Sequence, residues 1–120
     1  MTDTVFLGRH AAQKQFDEYL RKLRDGYLPV QYAAVDLADA YGFAKGPLNE
    51  ALDIAYRRVF EIYVSWVRAG RLSFEENARD LAQERGYSMA IVDEAVARGK
   101  PRALSLEAKI AKMTSSYPAY

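Results

Sequence analysis

The sequence predicts an all-α fold, a compact helical bundle built from two tandem copies of a three-helix unit that share a long central helix. Three observations support this prediction. Apolar residues recur at steps of three and four along most of the 120 residues. No clear strand pattern interrupts them, and the chain resembles itself when it is shifted by 44 positions. We treat residues 1–120 as one helical domain.

The internal repeat aligns residues 16–52 with residues 60–96 without a gap, and 12 of the 37 columns are identical. The identical pairs are Phe16/Phe60, Tyr19/Tyr63, Arg24/Arg68, Gly26/Gly70, Leu28/Leu72, Ala34/Ala78, Asp36/Asp80, Leu37/Leu81, Ala38/Ala82, Gly42/Gly86, Glu50/Glu94 and Ala51/Ala95. Helices of similar composition usually match in scattered columns, so this agreement indicates an internal duplication.

Each copy begins with a helix that has one apolar face. In the first copy this face consists of Phe16, Tyr19, Leu20 and Leu23. A Gly-x-Leu turn follows at Gly26 and Gly70, since a helix end favours a residue that adopts the left-handed conformation. We expect residues 1–7 to be loosely ordered.

The second helix of each copy has its own start signal. Pro29 begins it in the first copy, and Ser73 with Glu76 predicts a capping box in the second. The inner faces are Val30, Ala34, Leu37 and Ala38 in the first copy, and Phe74, Ala78, Leu81 and Ala82 in the second. We expect Gly42 and Gly86 to end these helices.

The third helix starts near Pro47 in the first copy and after Ser88 in the second. In the first copy it continues into the next repeat, which predicts one central helix over about residues 47–69, about 34 Å long. Its two apolar stripes are Leu48, Leu52, Ala55, Val59, Ile62 and Trp66, and Tyr56, Phe60, Tyr63 and Val67. A helix this widely apolar has to be covered on more than one side, by both copies or by a second chain in a homodimer.

The last part of the chain, residues 98–113, is a basic segment that contains a short amphipathic helix within Ser105–Met113. Leu106, Ile110 and Met113 share one face of that helix. Residues 114–120 form a tail, which is either frayed or a docking peptide anchored by Tyr117 and Tyr120.

The junction of the second and third helices resembles a helix-turn-helix unit, over about 20 residues in each copy. This resemblance implies that the third helix enters the major groove of DNA. Among its leading residues only Lys45 and Asn49 suit base recognition. The second copy instead offers Asp93 and Glu94, within an acidic stretch over 73–94, and carboxylates repel phosphates.

Basic residues after position 97 give a second basis for nucleic-acid contact. They are Arg98, Lys100, Arg102, Lys109 and Lys112. Such a strip contacts phosphates without reading bases. More often, such a strip is a solvated face or the partner of an acidic surface, in the same chain or in a neighbour.

No pattern indicates catalysis, a metal or a cofactor. The chain has no cysteine, and its one histidine, His10, lies in a polar stretch far from any carboxylate cluster. Thiolate chemistry, a His-based metal site and the usual nucleophile–base pairs therefore lack candidates. We expect the recurring Asp36 and Asp80 to be structural partners of Arg24 and Arg68 rather than catalytic carboxylates.

We therefore expect a non-enzymatic protein-binding module, such as an adaptor, inhibitor or regulatory subunit. A helix-turn-helix DNA-binding regulator is the alternative, which a net charge of +1 does not favour. We predict exposed tyrosines at Tyr27, Tyr32 and Tyr41, where the second copy has no apolar residue. Tyrosine is favoured at interfaces, and filling a gap in the core is the competing explanation.

The compartment follows from what the sequence lacks. No apolar run reaches the length of a membrane span, and the N-terminal residues do not have the pattern of a signal peptide. Without cysteines there is no disulfide framework. These features predict a cytoplasmic protein that does not enter a membrane.

Overall fold

Five α-helices account for most of the chain. The computed structural model describes residues 2–115, with the side-chain surroundings at positions 8–105 and 107–110. The helices are α1 (Thr2–Arg24), α2 (Gln31–Tyr41), α3 (Lys45–Arg68), α4 (Glu75–Arg85) and α5 (Met89–Ser115). Short 3-10 helices at Leu28–Val30 and Leu72–Phe74 precede α2 and α4. Within residues 2–115 there is no strand, and the all-α prediction is confirmed.

The chain divides into two compact units, Met1–Val59 and Phe60–Tyr120, and the division lies inside α3. In the first unit α1 packs against α2 and against the 3-10 helix that precedes it. The core of this unit contains Ala12, Phe16, Leu20, Leu23, Ala34, Ala38, Phe43, Leu48, Ala51 and Ala55. The apolar faces predicted for the first three helices therefore meet in one core.

The second unit has a core of its own. Here α5 packs against α4 and against the 3-10 helix Leu72–Phe74. The core contains Phe60, Val64, Val67, Ala78, Ala82, Val92, Ala95 and Val96. Alanines supply the α4 side of this core, so that the larger side chains of α3 and α5 fill the space beside it.

Four glycines end helices at the positions that the sequence predicted. The φ angles are 95° at Gly26, 69° at Gly42, 105° at Gly70 and 75° at Gly86. A residue with a Cβ enters this left-handed region only at a cost. The N–H groups of Gly42 and Gly86 donate to the carbonyls of Ala38 and Ala82, which completes the last turns of α2 and α4.

Two predicted helix starts are wrong. Helix α1 begins at Thr2, so residues expected to be loose are helical; no proline precedes Pro29 to interrupt it. The capping box at Ser73 does not form, because Ser73 lies inside a 3-10 helix and α4 follows Phe74 without a side-chain cap.

The prediction of a separate C-terminal helix within Ser105–Met113 is also wrong. Helix α5 is one helix of 27 residues with Pro101 inside it. A proline in a helix interior removes one hydrogen bond and usually costs about 3 kcal/mol. Residues on both sides of Pro101 pack against the end of α3, at Gly99 and Ala103. This packing keeps the helix continuous through the proline.

Candidate protein-binding surface

The three tyrosines predicted to be exposed differ in their burial. Tyr27 is 53% exposed and Tyr32 is 74% exposed. Tyr41 is half-buried against the core of the first unit, where its ring stacks on Phe43 with centroids 5.6 Å apart. The prediction of exposure is therefore wrong for Tyr41, because its ring packs on Phe43 and on the core of the first unit. The residues Tyr117 and Tyr120 lie outside the described part of the chain.

The second unit carries an aromatic cluster that the sequence did not reveal. We define the aromatic cluster as Tyr63, Trp66 and Phe74. The ring of Phe74 lies 4.5 Å from that of Trp66 and 5.8 Å from that of Tyr63, between centroids, and the Tyr63 and Trp66 rings are 6.0 Å apart. Tyr63 and Phe74 also pack against the core beneath them.

Arg71 covers this cluster. Its guanidinium carbon lies 5.0 Å from the centroid of the Trp66 ring and 5.2 Å from that of Phe74. Both distances are within the range of a cation–π interaction. The side chain of Arg71 remains exposed to solvent at its outer edge.

The turn after α3 places Arg71 and Phe74 beside Trp66. Gly70 reverses the chain with its positive φ, and the N–H of Arg71 then donates to the carbonyl of Trp66 at 2.9 Å. The 3-10 helix that starts at Leu72 brings Phe74 back over the last turns of α3. Local backbone geometry thus fixes all four side chains around one short turn.

This region remains partly open to solvent. Trp66 is half-buried, and Ile62, one turn earlier on α3, is 44% exposed. We expected both residues to lie in a covered stripe. The sequence signal for the exposed surface is the arginine at position 71, which takes the place of Tyr27 in the repeat alignment.

The charged side chains at the positions that would read DNA, Lys45, Asp93 and Glu94, are in ion pairs. Nζ of Lys45 lies 2.8 Å from Oδ1 of Asp39, and Asn49 is exposed. In the second unit Nη1 of Arg79 lies 2.9 Å from Oδ1 of Asp93, which links α4 to α5. Hydrogen bonds to Glu75 and then to Asp93 raise the pKa of Arg79.

Basic residues of α5 partly face acids of the same unit. Nε of Arg98 lies 3.3 Å from Oε1 of Glu94, and Nη1 of Arg102 donates to the carbonyl of Arg68 at 3.2 Å. Lys100 and Lys109 are exposed, and the side chain of Lys112 lies outside the description. The basic segment is therefore part of the second unit rather than a free arm.

The prediction that Asp36 and Asp80 pair with Arg24 and Arg68 is wrong. Nη2 of Arg68 faces Oε1 of Glu94 at 4.0 Å, while Asp36 and Asp80 are exposed. Asp80 and Asp36 lie on the outer side of α4 and α2, away from the alanines that face the core. The guanidinium Nε of Arg68 is buried without a hydrogen-bond partner.

Among the side chains that the structure describes, no three His, Cys, Asp or Glu residues lie together as a metal site requires. No helix in the described ranges is both long and apolar enough to cross a bilayer. No protein-family model, curated protein or solved structure matches the chain. The functional argument therefore depends on the residues themselves.

Proposed function

We propose that this chain is a non-enzymatic protein-binding module that acts through protein–protein contacts. The observation that carries this proposal is the half-buried aromatic cluster under Arg71. Trp, Tyr and Arg are the residue types that most often dominate the energy of protein interfaces. Aromatic side chains that are packed against a core are already ordered, so they lose little conformational entropy when a partner binds.

We also infer that the two units arose by tandem duplication. The support is a constant offset of 44 residues between the 3-10 helices, between α2 and α4, and between the starts of α3 and α5. The contact between Phe16 and Phe43, at 5.0 Å, has its counterpart in Phe60 and Tyr87, at 4.7 Å.

Under this duplication the two units differ at their turns rather than in their cores. Trp66, Arg71 and Phe74 stand where the first unit has Lys22, Tyr27 and Val30. Because the cores are alike and the turn surfaces are not, divergence at the turns supports a role in recognition. In the first unit the exposed aromatic residues near the corresponding turn are Tyr27 and Tyr32.

The alternative, a helix-turn-helix DNA-binding regulator, has less support. Three residues join α2 to α3 and α4 to α5, which suits such a unit. However, the leading turns of α5 present Asp93 and Glu94, and both carboxylates are in ion pairs. Neither side chain offers the donors that guanine or adenine recognition uses.

Affinity capture with matched variants tests the proposal. Tagged wild-type protein, Trp66→Ala and Lys22→Ala are used to capture proteins from an extract of the source cells, with quantitative mass spectrometry. Lys22 occupies the corresponding position of the first unit and serves as the control. We expect proteins that are captured by wild type and Lys22→Ala, and lost with Trp66→Ala, while circular dichroism confirms that all three fold.

A separate titration with the same protein tests the competing function, DNA binding. A labelled mixed-sequence DNA duplex is titrated with the protein at low and moderate salt. Binding that weakens steeply with salt, together with no capture that depends on Trp66, would overturn the proposal in favour of DNA binding.

A further inference from the structure

Arg71 is a cation with an apolar floor. Its guanidinium lies over Trp66 and Phe74. Among the side chains that the structure describes, no carboxylate forms an ion pair with it. Glu75, the acid that follows the cluster, is engaged by Nε of Arg79 at 2.9 Å.

A guanidinium that lies over aromatic rings is well prepared to bind a carboxylate. The interaction with the rings uses the flat face of the group, and the N–H donors point outward in its plane. Two parallel N–H groups match the two oxygens of a carboxylate. Since the rings hold the side chain in place, less entropy is lost on binding than for a free arginine.

Apolar surface lies next to this cation. Ile62 and Trp66 are one turn apart on α3, so their side chains are neighbours on the same helix face. Ile62 is 44% exposed, and Trp66 and Phe74 are half-buried. A ligand that fits the whole surface has an apolar side chain for this strip and a carboxylate for Arg71.

We propose that the aromatic cluster and Arg71 bind an acidic peptide segment of a partner protein, in which a Glu or Asp neighbours an aromatic or aliphatic residue. This inference rests on the proposed protein-binding function and names the chemistry of the partner. The charge of Arg71 selects the acid, and the cluster with Ile62 provides the apolar contact. The first unit has Tyr27 at the position aligned with Arg71, so the same site is not repeated at that turn.

The other basic residues of this unit are less suited to the role. Arg98 is paired with Glu94, and Arg102 donates to a backbone carbonyl at the end of α3. Neither makes a ring contact within the described side chains. Of these three arginines, Arg71 is the one whose guanidinium lies over aromatic rings beside apolar surface.

Trp66 makes the test direct, because it is the only tryptophan in the chain. The full chain is titrated with a short synthetic peptide that alternates Glu with Phe and Leu, and Trp66 emission is recorded. A matched peptide has Gln in place of every Glu. We expect saturable one-to-one binding of the acidic peptide, with about tenfold weaker binding of the Gln peptide, as loss of a charge-assisted hydrogen bond predicts.

Variants of Arg71 separate charge from structure. Arg71→Gln should remove the preference for the acidic peptide, and Arg71→Lys should retain only part of it, because an ammonium lacks the planar pair of donors. Lys22→Gln, which removes a charge at the first unit's counterpart of Trp66, should bind like wild type. Circular dichroism of each variant checks the fold, which an exposed side chain should not disturb.

Three results of the peptide titration would overturn the inference. They are equal binding of the Glu and Gln peptides, unchanged binding by Arg71→Gln, and no change in Trp66 emission with either peptide at millimolar concentration. A change in emission with single-stranded oligothymidine but not with the acidic peptide would likewise reject it, in favour of nucleic-acid binding. Capture of a protein that depends on Trp66 without any acidic preference would reject this inference and leave the protein-binding function standing.

Discussion

Gly99 crosses the carbonyl oxygen of Val67 so closely that a Cβ at position 99 would overlap that oxygen. The same Cβ would be 3.0 Å from the carbonyl carbon of Val67 and 3.1 Å from Cδ2 of Leu72. The close neighbour is backbone, which cannot move aside as a flexible side chain does. Helix α5 therefore approaches the end of α3 at a distance that only glycine allows.

We predict that Gly99→Ala lowers the free energy of unfolding by about 1–3 kcal/mol, as expected for overpacking of a tight contact. Urea unfolding followed by circular dichroism measures the change. The matched control is Gly8→Ala in α1, where a Cβ would meet nothing within 4 Å. In that open helical position alanine should stabilise by about 0.5–1 kcal/mol. Stabilisation by both substitutions would contradict the close crossing.

A second pair of glycines separates strain from crowding. Gly86 has a φ of 75° and open space around it, so Gly86→Ala should cost about 1–2 kcal/mol from the left-handed conformation alone. Gly70 has a φ of 105°, and a Cβ there would lie 3.0 Å from the backbone nitrogen of Ala103. We predict a larger loss of stability for Gly70→Ala, measured in the same urea titration. An equal or smaller loss would indicate that α5 yields at this contact.

The glycine positions were predictable from sequence because a left-handed helix end is a local requirement. Gly26, Gly42, Gly70 and Gly86 all follow an apolar periodic segment, and all have positive φ. The continuity of α5 was not predictable, since it depends on contacts between Gly99 and residues more than 25 positions earlier. The sequence predicted a separate short helix within Ser105–Met113, whereas the structure has one helix that continues through Pro101 and packs against the end of α3.

In the candidate site, too, the features set by local sequence were predictable and those set by the path of the chain were not. The alignment at an offset of 44 predicted exposure at Tyr27, Tyr32 and Tyr41 because the aligned residues are charged, and this prediction is confirmed for Tyr27 and Tyr32 but not for Tyr41. The aromatic cluster did not follow, since Trp66 fits an apolar helix stripe equally well in a core and at a surface. Only the path of the chain after Gly70, which returns Arg71 to Trp66, distinguishes the two.

Removal of the charge should affect the urea midpoint differently at two arginines of the second unit. Arg79 makes ion pairs at 2.9 Å with both Glu75 and Asp93, so Arg79→Met should lower the urea midpoint. Arg68 has one distant pair, at 4.0 Å, and a buried Nε without a partner. We predict that Arg68→Met leaves the midpoint unchanged or raises it, because it removes an unsatisfied polar group.

Salt and pH provide the check on this prediction. The difference between wild type and Arg79→Met should shrink in about 1 M salt, where exposed ion pairs are screened. The raised pKa of Arg79 places its loss of charge above the ordinary arginine range. A group with a raised pKa stabilises the fold below its unfolded value, so the contribution of Arg79 should not decline between neutral and mildly alkaline pH. A decline there would mean that another group carries the effect.

The two tyrosines at opposite ends of α2 distinguish a structural role from a surface role. Tyr41 packs against the core and stacks on Phe43, and its carbonyl accepts a hydrogen bond from Nη1 of Arg9 at 2.9 Å. Tyr41→Ala should therefore cost about 1–3 kcal/mol of unfolding free energy through lost apolar burial. Tyr32 is 74% exposed, so Tyr32→Ala should change stability by less than about 0.5 kcal/mol. Urea unfolding of both variants compares them directly, and equal losses would mean that Tyr32 is covered in solution, as it would be by a second copy of the chain.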